Sequence, residues 1–180
     1  MDEQTPQPEP SIFEQMRNRL TPDGMPTDDR GRMRMVVDSL ILHIHPANEF
    51  YNGRYQFNKH YYGSVIGAFD TDEELECAKA IDQCNEVKYW VRNLVHDTWA
   101  FRLPLSNGKF FYPDFVALLN DGRILVVEYK GEHLVEYSQE KKNIGEKWEE
   151  ASNNKALFIM AVKHDEKGRD VYKQIEDKAK

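Results

Sequence analysis

From Val87 to Leu94 the chain reads VKYWVRNL, with Val87, Tyr89 and Val91 alternating against Lys88, Trp90 and Arg92. A period of two predicts a strand, here with both faces filled. Phe101–Leu105 is extended, and Asn107-Gly108 turns the chain. FFYPDFVALL, from Phe110 to Leu119, predicts a strand with a proline inside it. Asp121-Gly122 then predicts a tight hairpin to RILVVEYK, from Arg123 to Lys130, which Gly131 ends. ALFIMAV, from Ala156 to Val162, is almost continuously apolar and predicts a buried strand.

Helical spacing separates these strands. Asp70-Thr71-Asp72 opens a helix with Thr71 as cap, and Glu74 three residues later completes a capping-box pattern. Leu75, Ala78 and Ile81 continue the period to about Asn85. Ile144, Trp148 and Ala151 share one face of a helix over Ser138–Ala151, and Gly168 precedes a polar C-terminal helix. The predicted order from residue 72 is α-β-β-β-α-β-α, a mixed α/β layer fold with helices flanking a central sheet.

The N-terminal part reads differently. Residues 1–32 hold five of the eight prolines and predict a flexible tail, with one short helix over Ser11–Leu20. Met33–Ile44 predicts a strand. Asn52-Gly53 predicts a turn into Tyr55–Ile66, which is rich in aromatic and β-branched residues. Residues 33–66 are therefore expected to form a β extension ahead of a main domain over 67–180.

Composition narrows the classes. With 180 residues the chain can bury a core without a disulfide or metal staple. Mean hydropathy is −0.74, no apolar run approaches the roughly 20 residues of a membrane span, and the polar start is not a secretory signal. Cys77 and Cys84 lie two helical turns apart, about 10 Å, beyond disulfide reach. Reduced thiols fit a cytoplasmic protein. Lys and Arg number 24 against 31 Asp and Glu, a net charge of −7. That excludes a generally basic nucleic-acid binder but not a local site built from a few cations.

Two acids interrupt apolar strands. Asp114 and Glu128 lie seven residues before and six after the two-residue hairpin tip, so they meet at the same end of an antiparallel pair. Lys130, two beyond Glu128, shares its face. Buried carboxylates need compensation. Asp114 and Glu128 suit Mg²⁺, with Mn²⁺ as a substitute, and the Tyr129 carbonyl is a further oxygen ligand. Lys130 then acts on the attacking water or the phosphate. The plainer alternatives are a structural Asp114 and a Glu128–Lys130 ion pair.

Pro113-Asp114 and Glu128-Tyr129-Lys130 resemble the signature of the PD-(D/E)xK nuclease superfamily, whose core has the order α-β-β-β-α-β. Over about residues 50–165 the chain is similar to the C-terminal nuclease domain of type III restriction-enzyme subunits and related helicase–nuclease fusions. The resemblance implies a restriction-endonuclease-like fold and a Mg²⁺-dependent endonuclease acting on DNA. It also implies a further site acid on the first helix, for which Glu74 fits best, ahead of Glu73 and Glu76. Lys141, seven residues before Trp148, would contact phosphate. The alternatives are a dipole-favoured acid for Glu74 and a solvated lysine for Lys141.

No G-x-x-x-x-G-K-[ST] phosphate loop occurs, so a helicase or translocase partner, or a parent chain, would supply translocation. Self-association would be a second way to reach DNA. The rival functions are an inactive nuclease-fold module that binds DNA or protein, and a ribonuclease on the same fold.

Other residues carry open alternatives. His43 and His45 form either a metal pair or ordinary strand histidines. The aromatic run Phe50–Tyr62 either stacks on bases or packs a small sheet. Lys88, Arg92, Arg102 and Lys109 either follow a DNA backbone or form a solvated surface.

Overall fold

Leu119 donates its N–H to the Arg123 carbonyl at 2.8 Å, and Gly122 donates to the Leu119 carbonyl at 3.0 Å. Gly122 sits at φ 90°, a conformation open to a residue without Cβ. This turn sets the register of the two central strands, from Leu118 opposite Ile124 to Phe115 opposite Val127. The computed structural model describes residues 50–63, 66–93, 100–131, 136–153 and 155–180, with the side chains of 136–138 left aside. The predictions for 1–49, including His43 and His45, lie outside the described residues.

In chain order the elements are α1 (Asp72–Gln83), β1 (Val87–Arg92), β2 (Leu103–Pro104), β3 (Phe110–Phe111), β4 (Phe115–Leu119), β5 (Ile124–Lys130), α2 (Glu136–Ala151), β6 (Ala156–Val162) and α3 (Val171–Ala179). The main sheet has the order β1-β4-β5-β6, and β2-β3 forms a separate small ladder. β1 and β5 both run antiparallel to β4. β6 runs parallel to β5, and α2 makes the crossover that a parallel pair requires. The fold is therefore mixed α/β, with a mixed sheet and three described helices.

Strand alternation divides the core in two. Phe115, Ala117, Leu119, Leu125 and Val127 pack with Cys77, Ala78 and Ile81 of α1 and Val171 and Ile175 of α3. Val116, Ile124 and Val126 face the other way, where Leu103, Phe111 and Phe158 meet Ile144 and Trp148 of α2. Gly145 lets α2 lie flat on the sheet, because a Cβ there would fall 2.2 Å from the Phe158 ring. Cys77 and Cys84 are buried free thiols.

Three predicted elements come out differently. The expected strand Phe110–Leu119 is two strands broken at Tyr112–Asp114. Pro113 brings no N–H to a ladder, and its carbonyl accepts from Asn93 Nδ2 at 2.7 Å. The helix after Gly168 is amphipathic rather than polar, since Val171, Gln174, Ile175 and Ala179 are buried.

The expected strand Tyr55–Ile66 is irregular where it is described, with an isolated bridge from His60 to Trp90 in place of a ladder. Its backbone is tied to a side chain instead. The buried Asp82 carboxylate accepts from the N–H groups of Asn58 and Lys59, the Tyr55 hydroxyl and Trp90 Nε1. Tyr51, Phe57 and Trp90 stack edge to face beside it. Of the two readings of the aromatic run, packing is the one observed for these rings.

Candidate active site

The last pair of the hairpin ladder is Phe115 opposite Val127, and one further step along both strands sets Asp114 against Glu128. Asp114 follows the proline break, and its backbone is held on both sides. Asn93 donates its N–H to the Asp114 carbonyl at 2.8 Å, and its buried side chain bonds Pro113 and Phe101. Sequence reasoning missed Asn93. Its only signal was a polar residue closing an apolar strand.

Asp114 Oδ2 accepts the Tyr129 N–H at 2.7 Å. The N–H and C=O of one strand residue project to the same side, so the Tyr129 carbonyl also faces the Asp114 side. Glu128 is 7% exposed. Its Oε1 accepts from Lys141 Nζ at 2.6 Å, and its Oε2 is buried without any hydrogen-bond partner. Lys141 also lies over the Phe111 ring, 4.7 Å from its centroid.

Electrostatics tie these groups together. Burial, then the charge of Glu128, pushes the Asp114 carboxyl up to about 8, with Glu74 adding and the Tyr129 N–H and Lys141 opposing. Burial also raises Glu128, opposed first by Lys141 and last by the Asp114 backbone N–H, and reinforced by Glu74. The Cys77 thiol lies well above its ordinary value through burial and through the charges of Asp114, Glu74 and Glu128. Two buried acids beside each other cannot both ionise without a compensating cation.

Of the three helix acids, Glu74 alone acts on both carboxyls. Thr71 caps α1 by accepting the Glu74 N–H at 3.1 Å. The capping box is displaced by one residue, because Glu74 Oε2 accepts from the N–H of Asp70 rather than Thr71. The same oxygen pairs with Arg92 at 3.2 Å, and Arg92 also reaches Asp70 and lies over the Phe69 ring. Glu73 Oε2 would lie 3.5 Å from a Cβ on Gly131, at the end of β5. Glu76 pairs with Lys79 and the Tyr172 hydroxyl between α1 and α3, away from the pair.

The structure bears on Glu74 as a metal ligand and on alternatives left open for Lys130, Lys141 and Arg92. Glu74 does not complete a ligand cluster: among the described residues no group of three or more His, Cys, Asp or Glu is arranged to hold a metal ion. The ammonium on Glu128 belongs to Lys141, not Lys130, so Lys141 is not a solvated helix residue. Arg92 is committed to Glu74 and Asp70 and does not offer itself to a DNA backbone.

Lys130 shares the sheet face of Glu128 by alternation. It lines an open cleft of about 780 Å³ beside edge strand β6, with Lys142, Lys163 and Lys167 on the same cleft. Asp114 and Glu128 do not line it.

The chain matches no family model, no curated protein and no solved structure. Among the described residues, no helix is long and apolar enough to cross a membrane.

Proposed function

We propose that this chain is a metal-dependent endonuclease hydrolysing DNA phosphodiester bonds, on a restriction-endonuclease-like PD-(D/E)xK scaffold. The observation that carries the reading is the Glu128 carboxylate, buried with Oε2 unpartnered, set against an Asp114 carboxyl pushed up to about 8. A buried acceptor without a donor costs about 1–3 kcal/mol, more when charged. A divalent cation relieves both the orphan oxygen and the repulsion.

The donor set fits Mg²⁺, with Mn²⁺ in its place, because it consists of hard oxygens. Asp114, Glu128 and the Tyr129 carbonyl would hold the ion, which supplies a polarised phosphoryl group and a more acidic water. Two protein carboxylates suffice for Mg²⁺, which keeps several of its waters. Glu74, held by Arg92, orients solvent at the edge of the pair. Lys130 and Lys141 balance charge on the phosphate. With the separate β2-β3 ladder set aside, the order of the main-sheet strands and their helices, α1-β1-β4-β5-α2-β6, supports the scaffold. Reduced thiols and the need for a DNA substrate fit the cytoplasm, with a translocase partner or self-association delivering an acidic chain to DNA.

The test is nicking of supercoiled plasmid with Mg²⁺ and with chelator. Asp114→Asn and Glu128→Gln should remove cleavage and leave the circular-dichroism spectrum intact. Cleavage of RNA but not DNA assigns the ribonuclease reading. Metal-independent DNA binding without cleavage assigns the inactive module, and full activity in both variants refutes the site.

A further inference from the structure

Glu128 has two unlike oxygens. Oε1 carries the Lys141 ammonium at 2.6 Å, while Oε2 is buried and bare. Lys141 is the single cation in contact with the carboxylate pair among the described residues. Arg92 is held on Asp70 and Glu74, and Lys130 makes no ion pair there. In the same position the Lys141 ammonium also lies over the Phe111 ring, 4.7 Å from its centroid, so one seat combines an ion pair with a cation–π contact. Its side chain is 29% exposed, so the head can move without unpacking α2.

We infer that Lys141 is the resident counter-cation of Glu128, which a divalent cation must displace, so that filling the site releases Lys141 toward the substrate phosphate. The inference rests on the metal-dependent reading above and adds an order of events to it. A second cation brought to Oε2 and Asp114 meets the ammonium on the neighbouring oxygen, and like charges this close disfavour each other as two carboxylates do. The coupling is reciprocal: the ion weakens the Lys141–Glu128 bond by the factor by which Lys141 weakens the ion's affinity. Phosphate therefore meets a free Lys141 in the loaded site and a neutralised one in the empty site.

The test is Mg²⁺ binding by calorimetry on the full chain, with thermal unfolding in chelator as a second readout. Lys141→Met keeps the apolar stem and removes the charge. It should bind Mg²⁺ roughly ten- to hundredfold more tightly than the parent, the size of a lost charge-assisted hydrogen bond. In chelator it should melt lower, and Mg²⁺ should raise its midpoint by more than it raises the parent's. Lys141→Arg keeps a cation on Glu128 and should bind no tighter than the parent. Should Lys141→Met fail to fold, Lys141→Gln carries the same comparison with a neutral donor. Parent-like or weaker affinity in the folded neutral variant overturns the exchange and leaves the nuclease reading standing. No Mg²⁺ binding by parent or variants overturns both.

Discussion

Asp114→Asn should stabilise the metal-free protein, and by an amount that grows with pH. Asparagine keeps an oxygen for the Tyr129 N–H, now at 2.7 Å from Asp114 Oδ2, and removes the charge that faces Glu128. The Asp114 carboxyl titrates near 3.8 in the unfolded chain and near 8 in the folded one. Between these values the folded chain holds one more proton, so folding stability falls as pH rises through the window, by about 1.4 kcal/mol per pH unit. The penalty belongs to the Asp114–Glu128 pair together, is present in full above pH 8 and is absent below pH 4.

The assay is urea unfolding in chelator at pH 5, 6, 7 and 8, for the parent and Asp114→Asn. Taking the difference at each pH cancels the titration of other groups. That difference should favour the variant increasingly from pH 5 to pH 8. On the proposed metal-dependent reading, saturating Mg²⁺ should shrink or reverse it, because an ion held by the ionised pair would favour the folded chain. A difference that is flat in pH would falsify the burial and coupling of Asp114.

Three further outcomes follow from the packing and the site. Asp82→Ala should lose about 2–5 kcal/mol of stability, read by urea unfolding, because the donors of Trp90, Asn58, Lys59 and Tyr55 lose one acceptor together. Gly145→Ala should destabilise by about 1–3 kcal/mol, since its Cβ would fall 2.2 Å from the Phe158 ring. The ordinary helix preference runs the other way by about 1 kcal/mol, so a raised melting point would sink the close-contact argument. Lys130→Ala should slow plasmid cleavage about 100- to 1,000-fold and leave Mg²⁺ affinity unchanged in calorimetry, and a parent-like rate removes Lys130 from the chemistry.

Strands whose local pattern and tertiary role agree were legible. Ala156–Val162 has the predicted bounds, and the Asp121-Gly122 hairpin supplied the register that sets Asp114 against Glu128. Two of the three misses share a cause, which is backbone groups bonded to a distant side chain. Tyr55–Ile66 has β-forming composition, but Asp82, more than twenty residues away, takes its N–H groups. Asn93 holds the chain around Pro113 and divides one predicted strand into two. Neither acid nor amide announces such a reach, because periodicity reports only which side of its own element a residue occupies. The polar composition of the last helix likewise concealed the stripe of Val171, Ile175 and Ala179 that packs beside α1.

The site was legible for a different reason: the sequence contradicts its own pattern there. Apolar runs predict apolar neighbours, and Asp114 and Glu128 stand where burial penalises them. Such a penalty persists in a folded chain only if something offsets it. The offsets present in the protein are partial. Tyr129 gives Asp114 one N–H, Lys141 gives Glu128 one ammonium, and Arg92 draws Glu74 aside. They leave Glu128 Oε2 bare and the Asp114 carboxyl near 8. A purely structural pair would be more stable as two apolar residues of similar volume, as buried ion pairs often are. The remaining imbalance is negative, directed at oxygen atoms and confined to one end of one hairpin. A small hard cation is the ligand whose charge and chemistry offset all three features at once. On the proposed metal-dependent reading, the stability sacrificed by this pair in the metal-free chain would be recovered on cation binding. This makes the pH dependence of the empty protein and the metal affinity of the Lys141 variants two measurements of the same electrostatic deficit.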